Sequence, residues 1–418
     1  MEVGVQVGVQ VHQLSRGRFA LTPAWTRVEV ASAVPALLER FADRLPVDRG
    51  ARVVVKPNLN NDLPALAGNS VDLRVLDALL RALVDRGYRS LTLADGSNVG
   101  VERRSIDTFK RLRIDRLAER YGVRLVDLNH DEGEPIALEA GAAPRVSRTV
   151  LEAELLLSVP KIKTHVEAGL SCALKNWVGI CRGQDKRQMH YDLGRNILAL
   201  GRRVKPHLIL VDGLVGMEGN GPGDGDPVRL GLLAMSDELF TNDVAIARTV
   251  GIELARVPYL AHALADGVID EAMVQEIHRA LPVLHHLRPP PERTRLAKLA
   301  DSRKIFWLKR LARPITDRPE VAEAAYRLGV IQDVYGRTDD GVSGLRREPV
   351  RCGTCRRCED FCPAALPLEQ IGATPASDAC SRCLYCWWVC PNDAITLEGP
   401  LHHLERQAAR YRAQIAGL

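Results

Sequence analysis

The chain has 418 residues, 46% hydrophobic and 26% charged, which excludes a disordered polymer and leaves room for two or three packed domains. Its formal net charge of +5 comes from 57 basic residues spread among 52 acidic ones, so no nucleic-acid partner is implied. No run approaches the ~20 apolar residues of a membrane-spanning helix, and the alternating start, Met1 to Gln10, lacks the basic and apolar blocks of a leader, so a cytoplasmic protein with no transmembrane segment is expected.

From about residue 28 to 250, short β-rich runs alternate with helical periodicity, the pattern of an α/β domain with a mostly parallel sheet. Strands are predicted at 52–55, 90–94, 123–127, 154–158 and 208–211, with crossover helices at 34–45, 71–86 and 106–121. Ligands of such a sheet gather beyond the carboxyl ends of its strands, which gives four loops priority. The first is Lys56-Pro57-Asn58-Leu59-Asn60-Asn61, where a lysine leaves an apolar strand and Asn58 follows it. The second begins at Asp95, either a ligand for a hydroxyl or metal, or a helix cap.

The third is the richest. Lys161, Lys163 and His165 precede Gly169-Leu170-Ser171-Cys172-Ala173-Leu174-Lys175-Asn176, and the segment ends near Lys186 and His190. A helix over 168–177 would pair Cys172 with Asn176 on one face and Ser171 with Lys175 on another, turning Lys175 to a pocket. So many cations in an otherwise apolar stretch suit an anionic ligand, with Lys175, His165 and Lys56 as the catalytic candidates. The fourth loop, from Asp212 through Gly219 and Gly221 to Gly225, is glycine-rich and would let backbone amides approach an anion, although it is neither a Walker loop nor GxGxxG. Asp237 and Asp243 follow with no assigned role.

Beyond Gly267 the texture changes to short helices, Pro289-Pro290-Pro291 and a basic stretch whose residues 298–313 read as an amphipathic helix for packing or docking. The expected division is an α/β domain at 1–266, a helical basic connector at 267–345, a cysteine-rich module at 346–400 and a C-terminal helix at 401–418. Cys172 and Cys181 read as small core residues, and the pairs His285-His286 and His402-His403 as surface positions.

The module carries Cys352-x2-Cys355-x2-Cys358-x3-Cys362-Pro363 and the same spacing at Cys380, Cys383, Cys386 and Cys390-Pro391. Three cysteines two residues apart wrap a cluster corner, and the one before proline crosses to the other cluster. Cys352, Cys355, Cys358 and Cys390 are therefore assigned to one [4Fe–4S] cluster, and Cys380, Cys383, Cys386 and Cys362 to a second. Zinc sites would show CxxC pairs for single ions instead.

About residues 350 to 400 thus resemble a bacterial-type two-cluster ferredoxin. The segments VVVKPNL, VPKIKTH, LKNWVGI and VDGLVGMEGNGPGDG, over about residues 50 to 250, resemble the domain-of-unknown-function 362 family, whose members often carry such a module and whose label supplies no settled reaction. His165, Gly169-Leu170-Ser171, Lys175 and Gly179 are also similar to a segment of the lactate racemase family. That resemblance implies a shared fold and, in that family, a nickel-pincer nucleotide attached to lysine, but Cys172 and Ala173 here replace a small glycine-rich pair and no proline precedes Gly179. The expectation is an iron-sulfur oxidoreductase that takes electrons from a donor or acceptor protein to an anionic small molecule. A non-catalytic carrier or assembly factor, and a nonredox isomerase with structural clusters, are the alternatives. A flavin or nucleotide-type second cofactor is left open.

Overall fold

The computed structural model describes residues 8–291, 338–353 and 355–418; the amphipathic stretch 298–313 lies outside them. Its main sheet comprises β1 (Gln10–Gln13), β2 (Arg18–Pro23), β3 (Val53–Pro57), β4 (Leu91–Asp95) and β5 (Arg124–Asp127). After a small hairpin of β6 (Gly133–Pro135) and β7 (Arg145–Ser147) come β8 (Leu155–Val159), β9 (Lys161–His165), β10 (Gly169–Ser171), β11 (Leu208–Glu218) and β12 (Asp226–Ser236). The order is β1-β2-β12-β11-β8-β3-β4-β5, with β9 pairing β11 and β10 beside this path. From β11 to β5 all neighbours are parallel, and β12, β2 and β1 add an antiparallel edge. The fold is the expected α/β class, and the short strands β3 and β8 are buried along their whole length, as strands covered on both faces must be.

The predicted helix at 34–45 instead spans Arg27–Glu39, because Thr26 and Glu29 form a capping box that starts it earlier. The segment 106–121 splits into Thr108–Arg111 and Ile114–Tyr121, with Arg113 left-handed at φ 62° between them. Helix Glu271–Ala280 buries Met273, Val274 and Ile277 in the same core as β11 and β12 residues, so packing onto the α/β body continues past residue 266. No helix among the described residues is long and apolar enough to cross a membrane.

The cysteine-rich module is built on β13 (Gly344–Arg347), antiparallel to β14 (Ile395–Glu398), with short helices Arg357–Phe361 and Tyr385–Val389 and the final helix His403–Gly417. It shares one apolar core with the α/β body. Arg74 joins the two: fully buried, it pairs with Asp72 at 2.8 Å, donates to the Trp25 carbonyl at 2.6 Å and lies 4.2 Å over the Phe361 ring. Arg111 binds Asp62 at 2.6 Å and Asp339 at 2.9 Å, and Gln407 donates to the Asp62 carbonyl. His403 is buried against Asp340, not at the surface as its sequence context suggested.

Removing one member of a buried pair leaves the other charge uncompensated. Arg74→Ala is expected to lower the unfolding free energy by about 3 kcal/mol, with hydrogen exchange quickening first at Phe361 and its neighbours. The exposed control Arg52→Ala should change stability by less than about 0.5 kcal/mol. Equal denaturation midpoints for the two variants would contradict this role for Arg74.

Candidate functional site: a lysine-lined cavity and a thiol-rich module

Side chains alternate along a strand, so Lys161, Lys163 and His165 of β9 share one face while Ile162 enters the core. At the carboxyl edge of the sheet, β3, β4 and β9 open onto a cavity of about 90 Å³. Lys56, Lys163, Lys175, Lys186, His165 and His190 line it, together with Asn58, Asp95 and Asn176. Of the candidates from the sequence, Lys161, Asp212, Gly219 and Gly221 do not reach it. Lys161 and Asp212 form a closed, fully buried pair at 2.8 Å, and Asp212 also accepts the Asp72 and Leu214 amides.

The remaining lysines differ in what holds them. Lys56 Nζ meets Asp95 Oδ1 at 2.6 Å and donates to Asn176 Oδ1 at 2.6 Å, while the other Asp95 oxygen accepts the Leu59 amide at 2.6 Å. Asp95 therefore serves as the counter-ion of Lys56, with both oxygens committed to the protein. Asn98, not Asp95, caps the next helix. Lys163 Nζ donates to Asn58 Oδ1 at 2.8 Å and to the Asn69 carbonyl at 2.6 Å. Burial and the neighbouring ammonium groups of Lys175 and Lys161 push Lys163 well below the ordinary lysine value, and a neutral amine has two N–H bonds for those two acceptors. Lys186 donates to the Ser97 carbonyl at 2.8 Å and to Asn129, and burial pushes it down to about 8. Lys175 has no hydrogen bond or ion pair among the described residues; burial, with help from Lys56 and against the pull of Glu167, brings it to about 8. With Lys56 and Lys161 matched by carboxylates and Lys163 held toward neutrality, the charge left for a ligand belongs to Lys175 and Lys186.

His165 is buried, and its Nδ1 accepts the amides of Glu167 at 3.1 Å and Ala168 at 3.2 Å. A ring nitrogen that accepts two N–H groups cannot carry a proton, so the neutral imidazole holds its hydrogen on Nε2. His165 thus offers the cavity a donor and not a base. Exposed His190 lies with Nδ1 2.9 Å from Glu167 Oε2, at the mouth where the cavity meets an outer groove.

The helix expected over 168–177 is corrected to strand β10 followed by one turn, Ala173–Asn176. Gly169 is left-handed at φ 72°, and a Cβ there would stand 2.0 Å from the Arg256 carbonyl oxygen, so it pairs with His165 across a tight turn instead of starting a helix. The turn begins only where Asp243 accepts the amides of Ala173 and Leu174. Asp237 is likewise structural, paired with Arg18 and Arg44. The glycine-rich stretch is no anion loop: β11 runs through Gly213 and Gly216 to Glu218, and the hairpin to β12 follows. The Gly219 amide donates to the Arg288 carbonyl, and Gly221 sits where a Cβ would meet the Thr164 carbonyl oxygen at 2.3 Å. Only Pro222 of that turn lines the cavity. Lys186, named in the sequence only as the end of the third segment and given no role, stands on a 3-10 segment, and Ser97 on the loop after β4, where the polar run was its one signal.

In the module, the spacing repeat is a backbone repeat. Arg356 and Leu384, each following the second cysteine of its run, are left-handed at φ 50° and 66°. Ala365 and Asp393, each three residues after a cysteine-proline step's cysteine, match at 57° and 49°. Four such non-glycine residues at equivalent places are conformations a surrounding structure must impose. Burial raises Cys386 well above the ordinary thiol value, and Cys383, Cys362, Cys380 and Cys358 add to it; Cys358 is raised to about 11 by burial with Cys352 and Cys355. The Ala394 amide donates to Cys390 Sγ at 3.2 Å. Cysteines in this spacing, with an amide donor to sulfur, fit iron-sulfur binding.

Residues 53–248 are a domain of unknown function (DUF362), and residues 376–396 a 4Fe-4S binding domain, so this is an iron-sulfur protein. A thylakoid-associated protein of Synechocystis is 31% identical over 124 residues, 28% of this chain and 39% of that protein, so the match spans well under half of the relative's length. The lactate racemase apoprotein of Thermoanaerobacterium thermosaccharolyticum aligns in structure with a TM-score of 0.35 and 15% identity, over 51% of this chain and 52% of that one.

Lysines that titrate at about 8 give the cavity a pH signature. Sulfate keeps its charge across neutral and mildly alkaline pH, so its affinity, measured by calorimetry, is expected to fall as pH rises through about 8 and Lys175 and Lys186 lose their protons. Lys175→Arg should leave a shallower fall. A flat profile in the parent protein would remove both lysines as anion partners.

Proposed function

We propose that this chain is a ferredoxin-fused redox enzyme with two [4Fe–4S] clusters, acting in the cytoplasm on a small anionic substrate held over Lys175 and Lys186. Cys352, Cys355, Cys358 and Cys390 would hold one cluster, and Cys380, Cys383, Cys386 and Cys362 the other. Such clusters, when bound and fully ligated by cysteine, supply single electrons and no open iron. With eight cysteines assigned to clusters and Cys172 and Cys181 buried as core residues, no disulfide framework is called for, which suits a reducing compartment.

One observation carries the redox reading: the cysteine-bearing helix is linked to the loop that walls the cavity by two hydrogen bonds that pass through residues 71–73. Tyr385, between Cys383 and Cys386, accepts the Leu73 amide at 2.9 Å, and two residues back the Val71 amide donates to the Asn58 carbonyl at 3.0 Å. Asn58 in turn binds Lys163 and Asn176 inside the cavity. In that cavity Lys175 binds the anion and exchanges a proton near neutral pH, where its value of about 8 is suited to acid/base work. His165 donates from Nε2 to a substrate oxygen, and the Asp95, Lys56 and Asn176 set fixes the floor. A nonredox isomerase is the second reading, favoured by Lys175 and His165 supplying a proton acceptor and a donor to one cavity without any need of electrons.

Anaerobically purified protein is expected to hold about eight irons, four per cluster, and native mass spectrometry should find a retained small anion. Lys175→Gln should keep the irons and lose about 100-fold or more of the turnover of that ligand; full turnover in this variant would remove Lys175 from the chemistry. Turnover indifferent to cluster reduction would select the isomerase.

His165→Gln preserves an N–H donor and should bind the retained ligand nearly as well as the parent. His165→Ala should lose about 1 kcal/mol or more. Equal losses in the two variants would contradict the donor assignment.

A further inference from the structure

The two cysteine runs are equivalent in spacing but not in surroundings. The 380–386 run faces the α/β body: Cys383 lines the seam with Leu73, Tyr385 and Trp388, and Arg120 donates to the Ala379 carbonyl at 3.1 Å. A partner protein has no approach through that seam. The 352–358 run faces outward, with Cys355 exposed and Val350 fully so at 101%. Val350 adds one fully exposed apolar side chain to the rim beside this run's cysteines.

The charge at this end is equally one-sided. Residues 346–360 carry five arginines against Glu348, Glu359 and Asp360, whereas the equivalent stretch of the second run, 374–388, carries only Arg382 and Asp378. Arg356 is paired with Glu359, and Arg346 lies 3.9 Å from Glu348. Arg351 is exposed and has no ion pair among the described residues, so its charge is available to a partner.

We infer that the face formed by Val350, Arg351, Arg356 and the exposed rim of Cys352 and Cys355 docks an acidic one-electron carrier protein. Val350 supplies the apolar contact and Arg351 the steering charge that acidic side chains on the partner would meet. One electron passes per encounter, the carrier being oxidised by one electron as the iron-sulfur module is reduced by one, and no proton or bond change is required at this face. The inference rests on the iron-sulfur reading above, and it assigns the outer run to the partner and the inner run, through Tyr385, to the cavity.

The test uses the anaerobic full-length holoprotein and a flavodoxin, an acidic flavin protein, as probe. Calorimetry of the oxidised pair should give a dissociation constant that weakens steeply with salt. It should weaken about tenfold in Arg351→Glu and also in Val350→Asp, a surface change that leaves the fold intact. Reduction by flavodoxin hydroquinone, followed by stopped flow, should slow in parallel, while reduction by the small neutral deazariboflavin radical stays unchanged. Parent iron content with unaltered flavodoxin affinity in both variants would overturn the docking face alone. Absence of iron from the parent protein would overturn the iron-sulfur reading and the docking face with it.

Discussion

Placing five lysine ammonium groups at one sheet edge, four of them buried and Lys175 half-buried, is the constraint on which the rest of the structure depends. Each would cost several kcal/mol if left charged and alone in a low-dielectric interior, and the fold answers with three different solutions. Lys56 and Lys161 receive carboxylates from β4 and β11, at 2.6 and 2.8 Å. Lys163 is pushed toward the neutral amine by the charges around it and spends its N–H bonds on Asn58 and Asn69. Lys175 and Lys186 are left intermediate, near about 8, where a bound anion decides their protonation. Because two of the five are paired with carboxylates and Lys163 is pushed toward the neutral amine, the cavity suits one small anion.

The same wiring explains why the thiol-rich module is not a loosely tethered appendage. Asp72 caps the helix Leu73–Asp85, its amide is held by Asp212, and its carboxylate fixes Arg74 under Phe361. The pair that neutralises Lys161 is therefore one hydrogen bond from the pair that anchors the module. Tyr385 reaches the same helix start from the other side. A substitution that disturbed this short stretch would reach both the cavity floor and the cysteine-bearing helix, since rigid packed elements transmit displacement to what is bonded to them.

Much of the site was legible because lysines directly after apolar strands are conspicuous. Lys56, Lys163, Lys175, Asn58, Asn176 and His165 all come to one cavity from loops flagged by strand position alone. Lys161 differs from Lys163 by two residues and looks the same in sequence. Only the presence of Asp212 on the neighbouring strand β11, opposite Lys161 in register, makes it structural. The glycine-rich stretch misled for a related reason: glycines that admit a ligand's phosphate and glycines that admit another backbone have the same signature, and here Thr164 occupies the space. Gly169 was the available sign that 168–177 would not be one helix.

The sequence by itself determined the α/β class, the positions of the parallel strands and the thiol runs, because hydrophobic periodicity and short-range spacing are local properties that no tertiary contact needs to supply. The doubled cysteine run even fixed its backbone, with left-handed residues recurring at Arg356 and Leu384. Tertiary structure decided which lysines are charged, which nitrogen of His165 bears the proton, and which of two equivalent thiol runs faces water. Those depend on desolvation and on partners such as Asp95, Asp212 and the Glu167 amide, several of them brought close only when distant strands pair.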